Sequence, residues 1–359
     1  MRLELAGWDL LWAEEFKKHE DTGLIPGRVF TRNRHVYAVY TEAGEVPAEV
    51  AGAFFNRANA SELPAVGDWV VMKPASDENS PAIIESLLPR RTKFSRKTAG
   101  SALQEQIIAA NIDLLFVVVG LDQDYNLRRL ERYLVAASES GVSLVIVLNK
   151  TDVCSDADLE SRMAEVKAIT PNTPVLALTA LSSDAIATLL PYLPPGKTAV
   201  LVGSSGAGKS TIVNQLLGMA KQDTQTTRLA DGRGRHTTTQ RELFILPGGG
   251  LILDNPGIRE LQLWPEDVVV ADAFTDIGEI AQRCAFRDCR HQGDKGCAIE
   301  KALGAGELDQ DRWQSYLKLN KEVSHIALQF DSNARREQKQ KMKKIFKDQK
   351  RNYKESDKF

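Results

Sequence analysis

Apolar and polar positions alternate in short runs through the first hundred residues and gather into longer apolar blocks beyond them. Residues 1–22 are amphipathic and carry acids throughout. They read as a short helical extension to which the residues assign no chemistry. From Gly27 to about Leu88 the runs RVFTRNRHVYAVYT, GEVPAEVAGAFF, GDWVVMKP and PAIIESLLP are broken by Gly and Pro at hairpin-like intervals. That pattern predicts a small antiparallel barrel of OB-like type, with a generic β-module as the alternative. Arg28, Arg32, Arg34 and Arg57, with Tyr37, Tyr40 and Phe55, would suit an RNA-binding face, or equally an ordinary solvated surface.

After a basic connector, Arg90–Lys97, the period changes to strand–helix alternation, the mark of a parallel sheet. The predicted order is strand 112–119, helix 126–140, strand 142–149, helix 156–169, strand 174–178, a short helix near 184–190, and strand 198–202. Helix-like stretches recur at 268–282 and 306–330. No internal repeat is visible. The expected division is a helical extension (1–22), an OB-like barrel (23–97), an α/β nucleotide-binding domain (98–266), a helical domain (267–330) and a C-terminal arm (331–359).

Chemistry collects where strands end, which is where α/β ligands bind. Gly203-Ser204-Ser205-Gly206-Ala207-Gly208-Lys209-Ser210 fits the phosphate-loop pattern G-x-x-x-x-G-K-[ST], between an apolar strand and a helix-forming stretch. Lys209 would reach the β- and γ-phosphates. The Ser210 hydroxyl would ligate Mg²⁺, and Thr211 follows in the same nucleotide-binding run. Asn149-Lys150-Thr151-Asp152 closes another apolar strand. An aspartate there can accept from the paired N–H donors of guanine, an edge adenine lacks. Thr179 and Ala180, after the strand at 174–178, fit the loop that backs the base. Asp254-Asn255-Pro256-Gly257 would hold a Mg²⁺-bound water through Asp254 and the γ-phosphate through the Gly257 N–H; alone it would read as a turn.

The order of these motifs is informative. In Ras-like GTPases the phosphate loop comes first and the N-K-x-D loop last, whereas here Asn149 precedes Gly203, which precedes Asp254. The reading is a circularly permuted α/β P-loop GTPase using GTP and GDP with Mg²⁺. The γ-phosphate-sensing segment then leads directly into the C-terminal region. Between the phosphate loop and Asp254 lies a polar, Gly-rich switch (221–243), where Thr238 is favoured to complete the Mg²⁺ shell. Gly257 is followed by Ile258, which cannot orient water as a glutamine would, so slow intrinsic hydrolysis is expected. His236 is the best internal substitute, with a plain exposed loop histidine as the alternative.

Composition adds two features. Cys284, Cys289, His291 and Cys297 lie within fourteen residues. Three thiolates and an imidazole would close a tetrahedral, structural Zn²⁺ shell, the alternative being unliganded buried cysteines. Cys154 reads as a free thiol. The formal net charge of −2 hides a basic arm, in which eleven Lys and Arg from Arg335 to Phe359 face four acids. Apolar runs are too short to span a membrane, and the N-terminus is unlike a signal peptide. A cytoplasmic, monomeric protein is expected.

Beyond single motifs, the layout resembles the ribosome small-subunit-dependent GTPase family (RsgA, also called YjeQ). The resemblance is carried by PAVGDWV (64–70), QEQIIAANIDLLFVV (104–118), NKTD, GSSGAGKST, GRGRHTTT (232–239), DNPGIRE (254–260) and the cysteine set. It implies an OB-fold, a permuted GTPase domain and a zinc-containing helical domain. It also implies binding to the 30S ribosomal subunit and its 16S rRNA late in assembly, with hydrolysis stimulated there, and a catalytic role for His236. Asn255 departs from the commoner Thr or Ser of that motif. A nucleic-acid-binding scaffold with a vestigial GTPase, and a metal-delivery factor, are the competing readings.

Overall fold

The computed structural model describes residues 3–34, 36–77, 80–97, 105–224, 241–254 and 270–324. The chain forms two compact units, Met1–Arg96 with Glu105–Gln262, and Lys97–Gln104 with Leu263–Phe359.

The first unit begins with a short helix, α1 (Leu10–Phe16), whose first turn is capped by Asp9 accepting from the Trp12 N–H at 2.9 Å. A barrel follows from β1 (Ile25–Asn33), β2 (Val36–Thr41), β3 (Gly44–Val50), α2 (Gly52–Arg57), β4 (Trp69–Lys73) and β5 (Ala82–Leu87). The strands run in the order β1-β2-β3-β5-β4, and β4 closes back on β1 from Ile25↔Met72 to Arg28↔Trp69. β3 and β5 are parallel and the other pairs antiparallel, the five-stranded OB-like arrangement. Val29, Tyr37, Val39, Val70, Met72 and Ile84 fill it. The expected strand through Phe55 instead ends at Val50. The next residues form α2, which packs Phe54 on the barrel core and leaves Phe55 exposed.

The connector is not plain coil. It contributes β6 (Lys93–Lys97), which pairs with β7 (Glu105–Ala110) in a separate two-stranded sheet. The α/β part then runs β8 (Leu114–Gly120), α3 (Leu127–Ser140), β9 (Ser143–Asn149), α4 (Asp156–Ile169), β10 (Val175–Leu178), α5 (Ser183–Ala187), β11 (Thr198–Gly203), α6 (Lys209–Thr224), β12 (Glu242–Ile245) and β13 (Leu251–Asp254). Strand order is β10-β9-β8-β11-β13-β12, parallel except that β12 is antiparallel to β13. β8 and β11 are buried along their whole length, as central parallel strands must be. β12 starts inside the stretch expected to be a polar switch. It also pairs with the barrel at Thr31↔Glu242, so barrel and α/β part share one eleven-stranded sheet.

In the second unit, α7 (Val270–Ala273) and α8 (Thr275–Ala281) divide the helix expected over 268–282. The break is at Phe274, which is fully buried, stacks under the Arg312 guanidinium and meets Tyr316 edge-on. After the cysteine loop comes α9 (Ala298–Ala305), ended by Gly306 at φ +73°. A further helix over 310–324 therefore starts later than expected, with Asp309 accepting from the Arg312 N–H. Arg312 forms a two-point pair with Asp276, both contacts at 2.6 Å. Burial alone would raise the Asp276 carboxyl, but this guanidinium holds it below the usual carboxylate range.

Candidate functional site

At the C-terminal edge of the parallel strands three loops meet on one side chain. Asn149, the last residue of β9, is buried. Its amide nitrogen donates to the Ala207 carbonyl of the phosphate loop at 2.8 Å, and its amide oxygen accepts from the Ala180 N–H at 2.9 Å. The loops after β9, β10 and β11 are thereby held as one body. The fit is close enough that a Cβ on Gly208, which stands at φ +98°, would collide with the Asn149 amide nitrogen. Sequence reading placed Asn149 in the motif without foreseeing this bracing.

Asp152 stands exposed two residues beyond Lys150 and accepts a hydrogen bond from the Thr179 hydroxyl at 2.6 Å. Thr179 and Ala180 are thus both tied to the base-reading loop, one by side chain and one by backbone. Thr151 opens a short 3-10 turn behind Lys150. In the phosphate loop, the Lys209 ammonium donates to the carbonyls of Gly203 and Ser204 at 2.8 and 2.5 Å. Ser205, Gly206, Ser210 and Thr211 are exposed, and α6 starts at Lys209. A helix N-terminus facing a glycine-rich turn favours an anionic group there. Asp254 ends β13, and its burial pushes the carboxyl above the usual carboxylate range. His236, Thr238 and Gly257 lie outside the described residues.

One contributor was missed. Asp122 and Asp124, in the loop after β8, contact Lys150 at 2.5 Å and Ser204 respectively. The available signal was two acids directly after a buried parallel strand, at the ligand-binding edge.

In the second unit, the sulfurs of Cys284, Cys289 and Cys297 lie 3.6, 3.4 and 3.4 Å from His291 Nδ1. All four ligand atoms fall within 4.8 Å of one another. A tetrahedral ion with bonds of ~2.0–2.3 Å closes such a set with small shifts. The surroundings organise the donors. The Ala298 N–H points at Cys284 Sγ at 3.3 Å, Asp294 accepts from the Arg290 N–H at 2.9 Å, and the His291 ring meets Trp313 edge-on. Cys154 lies apart, as a free and partly exposed thiol.

The suggested RNA face on the barrel does not form as a group. Tyr37 and Tyr40 are interior residues, and Arg32 lies over Tyr37 with its guanidinium donating to the Pro64 carbonyl. Arg28 is 2% exposed and donates to the carbonyls of Ala6, Gly67 and Asn111 at 2.5, 3.2 and 2.9 Å. Burial lowers its pKa to about 10. It thus clamps the N-terminal segment, the barrel and the strand leading to β8. The PAVGDWV run forms the barrel side of this joint. Gly67, at φ +93°, lies where a Cβ would strike the Ala110 carbonyl. Asp68 pairs at two points with Arg90, and Trp69 packs against Trp8 and Trp12. The extension also anchors through Arg91, which grips Asp9 at 2.6 and 2.7 Å while stacking on Trp12.

A family model described as RsgA GTPase matches residues 87–264. The chain is 44% identical over 358 residues to the small ribosomal subunit biogenesis GTPase RsgA of Opitutus terrae, with 97% of each chain covered. To the protein of that name in Leptospira interrogans it is 42% identical, covering 95% of this chain and 94% of the other. Among solved structures, YjeQ from Thermotoga maritima matches with a TM-score of 0.61 at 25% identity, covering 84% of this chain and 98% of that one. YloQ, described as a circularly permuted GTPase, shares the fold, with a TM-score of 0.59 at 23% identity over 86% of this chain and 97% of its own. With the nucleotide motifs at the strand ends of a permuted sheet and near-complete alignment to such relatives, the chain belongs to the RsgA GTPase family and is a GTP-hydrolysing enzyme.

Proposed function

We propose that this enzyme hydrolyses GTP while bound to the small (30S) ribosomal subunit and acts in that subunit's assembly. The observation that carries the nucleotide half of the reading is Asn149, whose one amide locks the base-reading, base-backing and phosphate loops together. The near full-length relatives named for small-subunit biogenesis supply the direction.

In this reading Asp152 accepts from the guanine edge, with Thr179 and Ala180 behind it. Residues 203–211 cradle the phosphates by their N–H groups, and Lys209 moves from its loop carbonyls to the β- and γ-phosphates. Ser210 directly, and Asp254 and Thr238 beside it, would hold Mg²⁺, which when bound neutralises charge developing on the phosphates. Gly257 meets the γ-phosphate, and His236 orients the attacking water in place of the missing glutamine. Intrinsic turnover is then slow until a partner completes the site that the missing glutamine leaves short.

The Cys284, Cys289, His291 and Cys297 shell holds one structural Zn²⁺. With all four positions filled by protein it keeps a scaffold together and delivers no metal. In the same loop Arg287, Arg290 and Lys295 are exposed, and Phe286 is 58% exposed. A loop carrying exposed cations and an exposed ring suits 16S rRNA, where phosphates and an unstacked base can both be met. The basic arm at 331–359 adds further phosphate attraction. The extension, barrel, GTPase, zinc and tail segments at 1–22, 23–97, 98–266, 267–330 and 331–359 then act as one monomeric, cytoplasmic assembly factor. No helix among the described residues is long and apolar enough to cross a membrane.

Co-sedimentation with small subunits tests the proposal. Binding should be tighter with a non-hydrolysable GTP analogue than with GDP, and should weaken as salt rises. Equal, salt-insensitive binding in both nucleotide states would overturn it. A His236→Ala protein should bind subunits normally and lose stimulated turnover.

A further inference from the structure

A fourth loop, between β8 and α3, adjoins the three nucleotide loops. The Leu121 N–H donates to the Asn149 carbonyl at 2.9 Å, while the Leu121 carbonyl accepts from Arg162 of α4 at 2.6 Å. Asp122 reaches across to the Lys150 ammonium at 2.5 Å. Its other carboxylate oxygen accepts from the Asp124 N–H at 3.1 Å, which fixes the rotamer. Asp124 in turn accepts from Ser204 of the phosphate loop and pairs with Arg129 of α3 at 2.6 Å.

Lys150 is held in an unusual conformation, φ +69° and ψ +42°, which L residues adopt when their surroundings impose it. Two residues later the chain must present Asp152, with no buried anchor of its own, beside Thr179. The Asp122 contact is the ionic tether on the Lys150 side chain, and it joins that side chain to a loop already tied to α3 and α4.

We propose that Asp122 is a positioning residue for guanine-nucleotide binding: by fixing the Lys150 side chain it holds the left-handed turn that aims Asp152 at the base. This rests on the reading of the site as a guanine site. The pair adds little to folding, because both side chains are about one-third exposed, 30% for Lys150 and 34% for Asp122, and such pairs are screened. Its effect therefore falls on binding. The tie to Lys150 keeps Asp122 below the usual carboxylate range, so it is charged at neutral pH.

The test is stopped-flow binding and displacement of a fluorescent GDP on the full chain, with melting followed in parallel. Asp122→Asn should weaken GDP about threefold, mostly through faster dissociation, with an unchanged melting temperature. Asp122→Glu should restore most of the affinity, and raised salt should narrow the gap to the parent protein. In a Lys150→Met background Asp122→Asn should add nothing further. Asp122→Asn with parental affinity overturns the proposal and leaves the guanine reading intact, as does an undiminished effect in the Lys150→Met background. A parent protein that binds GDP no better than ADP overturns the guanine reading, and the role of Asp122 with it.

Discussion

Replacing Arg28 by Met should loosen the joint between the N-terminal segment, the barrel and the GTPase sheet. Burial works against the guanidinium: a pKa near 10 against an ordinary 12.5 means the charged form is disfavoured there. At 1.36 kcal/mol per unit that disadvantage is about 3 kcal/mol. Against it stand three hydrogen bonds to carbonyls from a charged donor, each contributing ~1.5–3 kcal/mol. The balance favours arginine by about 3 kcal/mol. Methionine fills much of the volume but donates nothing. The Gly67 carbonyl keeps its bond from the Asn111 amide, whereas the Ala6 and Asn111 carbonyls lose the Arg28 donor. Urea unfolding followed by tryptophan fluorescence suits the question, since Trp8, Trp12 and Trp69 cluster at the joint. With a slope of ~3 kcal/mol per molar, the transition of the first unit should move down by about 1 M. An unchanged or raised midpoint would show that the three hydrogen bonds do not outweigh the burial of the guanidinium. It would place Arg28 with those buried charges that a hydrophobic residue replaces without loss.

Asp152→Asn should weaken GTP binding by about 100-fold, because the acceptor pair for the guanine donors is lost; competition binding against ATP checks it. Cys297→Ser should release bound zinc, measured by atomic absorption, and lower the melting temperature of the second unit while GTP binding in the first persists. The Asp9–Arg91 pair gives an acid transition. The hydrogen bond from Arg91 holds Asp9 low against a smaller effect of burial. The stability this pair adds is present above the unfolded pKa near 3.9 and is lost as pH falls through the lower folded value. Tryptophan fluorescence should therefore stay flat from pH 8 to 5 and change below about pH 4, with the Asp9-dependent part absent in Arg91→Gln.

The elements legible in the sequence were those whose signals are local. β8, β9 and β11 show as unbroken apolar runs, α3 as a periodic stretch opened by Asn126 and closed by Gly141, and α4 as a run capped by Ser155. The nucleotide motifs were readable because each sits in one loop. What escaped depends on partners far along the chain. Arg28 looked like a surface cation because the carbonyls that receive it belong to residues 6, 67 and 111. β12 was hidden because a four-residue strand gains its meaning from β13 on one side and Thr31 of the barrel on the other. Asp122 was missed because the lysine it holds is 28 residues away. The helical break at Phe274 likewise follows from a side chain buried under Arg312.

Steady-state GTP hydrolysis by the full chain should be measured alone and with saturating small ribosomal subunits, at low and high salt. Turnover should be slow alone, strongly stimulated by subunits, and should lose much of that stimulation at high salt. Equal turnover with and without subunits would remove the ribosome as the activator of this GTPase.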